Sequence, residues 1–171
     1  NATYVANHNP KYNFLCDIKD LLKQEHVPDE LCHLDILDGS PPCSSFSMAG
    51  VREETWGKAK KFKEGQKEQV LDTLFFDFIA LAKRLQPKVV IAENVKGLLL
   101  GDAIDYVRRV YEDFEDAGYY CQHWLLNAQN MGVPQRRERV FFVSLVRKRT
   151  GLKPKIFLLS ASTFTLTPSF K

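Results

Sequence analysis

No CxxC pair occurs among the four cysteines of this 171-residue chain, Cys16, Cys32, Cys43 and Cys121. That spacing offers neither a zinc site nor a disulfide framework, and it fits a reduced, cytoplasmic setting. No apolar stretch reaches the roughly 18 residues that a membrane span needs, and no signal peptide is recognisable. Internal repeats and low-complexity tracts are missing as well. A marked excess of either charge is missing: 24 basic against 21 acidic side chains give +3, which alone argues for no nucleic-acid partner. The length suits a single domain with a real core.

What charge there is comes in clusters. Lys58, Lys60, Lys61, Lys63 and Lys67 crowd one segment, and Arg136, Arg137, Arg139, Arg147, Lys148 and Arg149 another. Such runs serve either a solvated face or a phosphate backbone. Between them the chain alternates apolar runs with helical periodicity. Residues 17–24 read as a short helix and 34–37 as a strand. Residues 39–65 form a long polar connection of the kind often used as a lid or binding loop. Over 66–85, Val70, Leu71, Leu74, Phe75, Phe78, Leu81, Ala82 and Leu85 recur at helical spacing, closed by Pro87. A strand follows at 89–92, a helix over 104–114 with Gly118 as its stop, and strands at 119–126 and 139–146. This order implies an α/β fold with a doubly wound, mostly parallel sheet and an antiparallel last strand.

Three segments carry chemistry. Asp38-Gly39-Ser40-Pro41-Pro42-Cys43-Ser44 follows the first strand, and its two prolines stiffen the turn that presents Cys43. Open α/β sheets place ligands at such carboxyl ends. A free cysteine there is equally at home as a small buried hydrophobe. The second segment, Val89-Val90-Ile91-Ala92-Glu93-Asn94-Val95, ends an apolar run in a carboxylate and an amide, which also suit a helix start. The third, Gln135-Arg136-Arg137-Glu138-Arg139, leads into Val140-Phe141-Phe142-Val143, where alternate arginines could simply face solvent.

In this order the three segments resemble the C5-cytosine DNA methyltransferases of bacterial or phage modification type. The resemblance runs over about residues 1–148. It implies a catalytic domain of the S-adenosylmethionine (AdoMet)-dependent methyltransferase fold over 1–150, with 151–171 unassigned or the start of a recognition region. It also implies methyl transfer from AdoMet to C5 of a cytosine flipped out of duplex DNA. Cys43 is then the nucleophile that attacks C6, activated by nearby positive charge. Glu93 holds a proton at N3, which burial favours and a close arginine opposes. Asn94 orients the turn, Arg139 contacts the cytosine O2, and Arg137 steadies the loop bearing Cys43.

The same resemblance assigns Asp17 and Ile18 to the adenine of AdoMet, with Ser40, Pro42 and Leu74 lining the rest. Asp17 reads as well as a helix cap. Ser40 stands where glycine is common in the family, and Ser44 where glutamine is common. The family's glycine-rich first turn, ribose-binding acid, DNA-reading domain and final helix are not readable here. Asn1-Ala2-Thr3-Tyr4 reads as part of a helix already under way. A monomer working on duplex DNA away from any membrane is expected. The alternatives are the RNA (tRNA) methylating branch of the family, a non-catalytic nucleic-acid-binding remnant, and a redox role for Cys43.

Overall fold

A computed structural model describes residues 1–42, 73–100 and 103–147. The connection that carries Cys43, Ser44 and the lysine cluster, and the stretch 148–171, lie outside the described residues. Helices α1 (Ala2–His8), α2 (Ile18–Lys23), α3 (Leu74–Leu85) and α4 (Ile104–Asp116) alternate with strands β1 (Ile36–Gly39), β2 (Val89–Val95), β3 (Tyr119–Asn127) and β4 (Glu138–Val146). The sheet order is β1-β2-β4-β3. β1 and β2 are parallel, while β4 runs antiparallel to both neighbours. Three strands therefore share one direction and only the last is reversed, as the alternation of elements implies.

The first strand sits two residues later than its apolar run suggests. A 3-10 turn at Asp29–His33 precedes it, and pairing opens with the amides of Lys88 and Val89 donating to the carbonyls of Leu34 and Asp35. At its far end, Val95 is opposite Arg139, so β2 extends three residues beyond its apolar run. Hydrogen bonding to β4 sets that limit, and it draws Glu93 and Asn94 into the strand.

Every second residue of β2 is buried: Val90, Ala92 and Asn94. Val90 and Ala92 join Val140 and Phe142 of β4 under α3 and α4, which contribute Phe75, Phe78, Ile79 and Ala82, and Tyr106, Val107, Val110 and Phe114. Phe75 meets Phe142 edge-on, their ring centroids 5.4 Å apart. Burying each such side chain is worth about 1.5–3 kcal/mol. α3 ends on Gln86, whose φ of 51° is left-handed. Its side-chain amide is anchored on the carbonyls of Lys83 and Ala117, and Pro87 cannot continue the helix. Tyr119 donates to the Pro87 carbonyl at 2.9 Å and locks that corner to β3.

One glycine decides how the first strand meets the core. A Cβ on Gly39 would lie 2.7 Å from Cε2 of Phe78. The end of β1 therefore lies flush against α3, and the backbone leaving it is aimed by that contact. Among the described residues no helix is long and apolar enough to cross a membrane.

Candidate active site

Asn94 is 3% exposed, and both ends of its amide are in use. Nδ2 donates to the Pro41 carbonyl at 3.1 Å, and Oδ1 accepts from the Val95 amide at 2.8 Å. The turn leaving β1 is thus tied to the end of β2 immediately before Pro42 and Cys43. The helix-cap reading of Glu93-Asn94 does not hold. The 3-10 turn that follows, Lys96–Leu99, is entered from Val95 with no side-chain cap.

On the opposite face of β2, Glu93 reaches diagonally across the ladder to β4. Its Oε1 lies 3.1 Å from Nε of Arg139, with both side chains about one-quarter exposed. Nη1 of the same guanidinium donates to the Glu138 carbonyl at 2.8 Å. Arg139 is consequently not an ordinary solvent-facing charge: its donors are divided between a carboxylate and a backbone oxygen. The structure thus brings together Glu93, Asn94, Arg139 and the Pro41 carbonyl at the strand ends.

Arg137 lies just outside this group. It stands one residue before β4 and is exposed, and among the described residues its side chain makes no ion pair. Its backbone, by contrast, is held firmly. The Asn127 carboxamide accepts from the amides of Gln129 at 3.1 Å and Arg137 at 3.2 Å, while the Ala128 amide donates to the Arg137 carbonyl at 2.9 Å. Asn127 thereby closes the loop that delivers the arginines. Sequence reasoning missed it, because its partner lies ten residues away.

Of the residues assigned to the cofactor, Asp17 and Ile18 stand at the start of α2, which packs on α3, and Leu74 opens α3. Asp17 caps α2, its Oδ1 accepting from the Lys19 amide at 2.9 Å. A carboxylate keeps further acceptor capacity when it caps a helix, so the cap and an adenine contact are compatible. Ile18 packs against the core. Lys19 spans to α3, 3.4 Å from Thr73 Oγ1 and 3.7 Å from Asp77 Oδ2, which places α2 beside half-buried Leu74. Gly39 touches Phe78 one turn further along α3, and Ser40 and Pro42 stand exposed after it. These residues fit an adenosine: two aliphatic side chains for a flat ring, a carboxylate to accept from an amino group, and a hydroxyl.

Two further contacts hold these groups and were not anticipated. Arg84 of α3 donates to the carbonyls of Leu21 at 3.0 Å and Leu22 at 2.8 Å, and also reaches those of Gln24 and Glu25. It satisfies the end of α2, which a six-residue helix cannot do from within. Lys96 and Glu138 form an ion pair of 2.9 Å beside the Glu93–Arg139 pair. The Lys96 ammonium holds the Glu138 carboxyl below the usual carboxylate range, with burial opposing.

A family model for C-5 cytosine-specific DNA methylases matches residues 1–166. The Type II methyltransferase M.FnuDI of Fusobacterium nucleatum is 38% identical over 141 residues, covering 82% of this chain and 36% of that protein. M.NgoPII of Neisseria gonorrhoeae, also named a Type II methyltransferase, is 34% identical over 152 residues, covering 89% of this chain and 40% of that one. The chain therefore spans well under half the length of these relatives. Among solved structures, the S. pombe Dnmt2 methyltransferase superposes with a TM-score of 0.51 at 16% identity, covering 88% of this chain and 39% of its own. That likeness is one of fold.

Proposed function

This chain belongs to the C-5 cytosine-specific DNA methylase family, and we propose that the protein carrying it transfers a methyl group from AdoMet to C5 of a flipped-out cytosine in duplex DNA. The observation that carries this reading is the meeting of three separate segments at the strand ends: Asn94 on the Pro41 carbonyl, and Glu93 on Arg139.

AdoMet, when bound, supplies an electrophilic methyl sulfonium; Asp17, Ile18, Leu74, Ser40 and Pro42 would hold it. Cys43, two residues beyond the anchored Pro41 carbonyl, adds as a thiolate to C6, since only the ionised sulfur is a competent nucleophile. Glu93 gives a proton to N3, so the electron pair displaced from the C5–C6 double bond does not build up charge on the ring. Arg139, fixed between Glu93 and the Glu138 carbonyl, directs its remaining donors at the cytosine O2. Asn94 keeps the turn bearing Cys43 at a set distance from β2. After methyl transfer, a base removes the C5 proton, the double bond re-forms, and Cys43 leaves C6 as the thiolate while N3 returns its proton to Glu93. Flipping the base costs about a few kcal/mol of unstacking, met by contacts to the extruded nucleotide.

Such an enzyme would work in the cytoplasm of its host, as a monomer acting on one nucleotide at a time. The test is incorporation of labelled methyl groups by the full-length protein into duplex DNA and, in parallel, into tRNA. Labelling of the duplex supports the reading. Labelling of tRNA alone moves the substrate to RNA, and labelling of neither in the presence of AdoMet removes it.

A further inference from the structure

The hairpin that joins β3 to β4 turns at the same end of the sheet as Glu93 and Asn94. Its last rung pairs Asn127 with Glu138, and the next sets Leu126 and Val95 on either side of Arg139. The connection is therefore rooted beside the candidate active site, and residues 129–137 are exposed without a break. It is not slack. Asn127 and the Ala128 amide hold the backbone of Arg137 at its base, and the amides of Gly132 and Val133 both donate to the Ala128 carbonyl. Its charge is one-sided as well. No Asp or Glu occurs between Asp116 and Glu138, whereas Arg136 and Arg137 stand side by side. Among the described residues neither guanidinium makes an ion pair. Glu138, whose carboxyl Lys96 and Arg136 both hold below its usual range, forms its ion pair with Lys96 at 2.9 Å. At the far end of the sheet charges are matched instead, Lys88 with Asp35 and Arg147 with Glu115.

Resting on the reading of this site as a cytosine methyltransferase centre, we propose that the tip of this hairpin is a contact for the backbone of duplex DNA, with Arg136 on a phosphate close to the extruded nucleotide. An uncommitted guanidinium presents a planar fork of donors that matches a phosphate. Arg136 stands three residues before Arg139, so their Cα atoms are at most about 10 Å apart. That is about three nucleotide steps of about 3.4 Å along one strand. With Arg139 at the cytosine O2, Arg136 is within reach of the phosphates that flank that nucleotide. The pinned loop offers its arginine already ordered, which lowers the cost of binding. Phosphates are alike at every step, so the contact adds affinity and register and leaves the choice of sequence to other parts of the protein. The arginine run thus divides by role. Arg139 serves the site, Arg147 is taken by Glu115, and Arg136 is left for the backbone.

The full-length protein is titrated with mixed-sequence duplex DNA from about 50 to about 200 mM salt, as wild type, Arg136→Gln, Arg136→Lys and Lys88→Gln. Lys88, paired with Asp35 at the far end of the sheet, controls for the loss of one positive charge. In Arg136→Gln the slope of log affinity against log salt is expected to become shallower by about 0.9, the value of one phosphate contact. Affinity at the lowest salt should fall about threefold to tenfold, equally on duplexes of unrelated sequence, with kcat at saturating DNA within about twofold. Arg136→Lys keeps the charge and should keep the wild-type slope. A slope unchanged in Arg136→Gln, or lowered as much in Lys88→Gln, overturns the proposal, and so does a loss seen on tRNA but not on duplex. If the wild type methylates duplex DNA while the slope of Arg136→Gln is unchanged, the contact fails and the functional reading stands. If the slope changes as expected but the wild type transfers no methyl group, the contact stands and the functional reading fails.

Discussion

Asn94 and Pro41 are joined across two parallel strands by one hydrogen bond of 3.1 Å, from a buried side-chain amide to a backbone carbonyl. An aspartate at this position keeps the shape and the acceptor for the Val95 amide, but it sets an oxygen against the Pro41 oxygen. Asn94→Asp is expected to lower stability by about 1–3 kcal/mol, the usual cost of a buried polar group left without its partner. Urea unfolding at neutral pH measures it. A midpoint equal to wild type would mean that the turn is held by other contacts.

Cys43→Ser in the full-length protein is expected to abolish methyl transfer while leaving duplex binding within about threefold of wild type. In the proposed mechanism only the sulfur forms the bond to C6. Duplex DNA containing 5-fluorocytosine should trap the wild type covalently, because fluorine at C5 cannot leave as a proton does. Equal trapping by the serine variant, resolved on a denaturing gel, would remove Cys43 from the mechanism.

Glu93→Gln is expected to slow methyl transfer by about 10²–10⁴-fold, the usual range for loss of an acid–base group. The amide still offers an oxygen to Arg139 but has no acidic proton for N3. AdoMet affinity by calorimetry should stay within about twofold, since Glu93 is not among the residues proposed to hold the cofactor. A rate within about threefold of wild type would show that Glu93 only anchors Arg139.

Stability is expected to be greatest between about pH 7 and 9. On the acid side, burial lowers the pKa of His123, which shares a 2.5 Å hydrogen bond with Tyr111. The unfolded chain therefore takes up this proton first, and stability falls as pH drops below the ordinary value of 6.5. On the alkaline side, burial pushes Cys121, Tyr111 and Tyr119 up to about 12 from ordinary values of 9.0, 10.0 and 10.0. The unfolded chain releases these protons first, so stability falls as pH rises from about 9. Glu30 and Glu138, both lowered from 4.5, contribute only to the loss below that value. Melting temperatures measured from pH 5 to 11 test both limbs, and His123→Gln should flatten the one between pH 5 and 6.5.

The parts of this site that were legible in the sequence are those coded by neighbours. Pro41-Pro42-Cys43, Glu93-Asn94 and Gln135 to Arg139 each stand out as a cluster, and β2, β3, β4, α3 and α4 follow from periodicity. The end of β2 is not legible in the sequence because hydrophobicity stops at Ala92 while the ladder runs on to Val95. Arg84, Asn127 and Lys96 leave no signal. Each works on a partner between 10 and 63 residues away, and a lone polar residue on a helix or at a strand end looks like any exposed one. Asp17 was ambiguous for a different reason: capping α2 and accepting from a ligand call for the same carboxylate.

Arg84 carries a last consequence. Isolated helices as short as α2 do not persist in water, so this one depends on its contacts with the core and α3, the Arg84 guanidinium closing its final turn among them. The proposed adenine side of the pocket is then expected to have no melting event of its own and to come apart when α3 leaves the sheet. Affinity for the cofactor then reports on the core. Conditions or substitutions that loosen α3 far from any ligand, at Phe75 or Ala82 for example, should weaken AdoMet binding in proportion to the fraction of molecules in which α3 has come away.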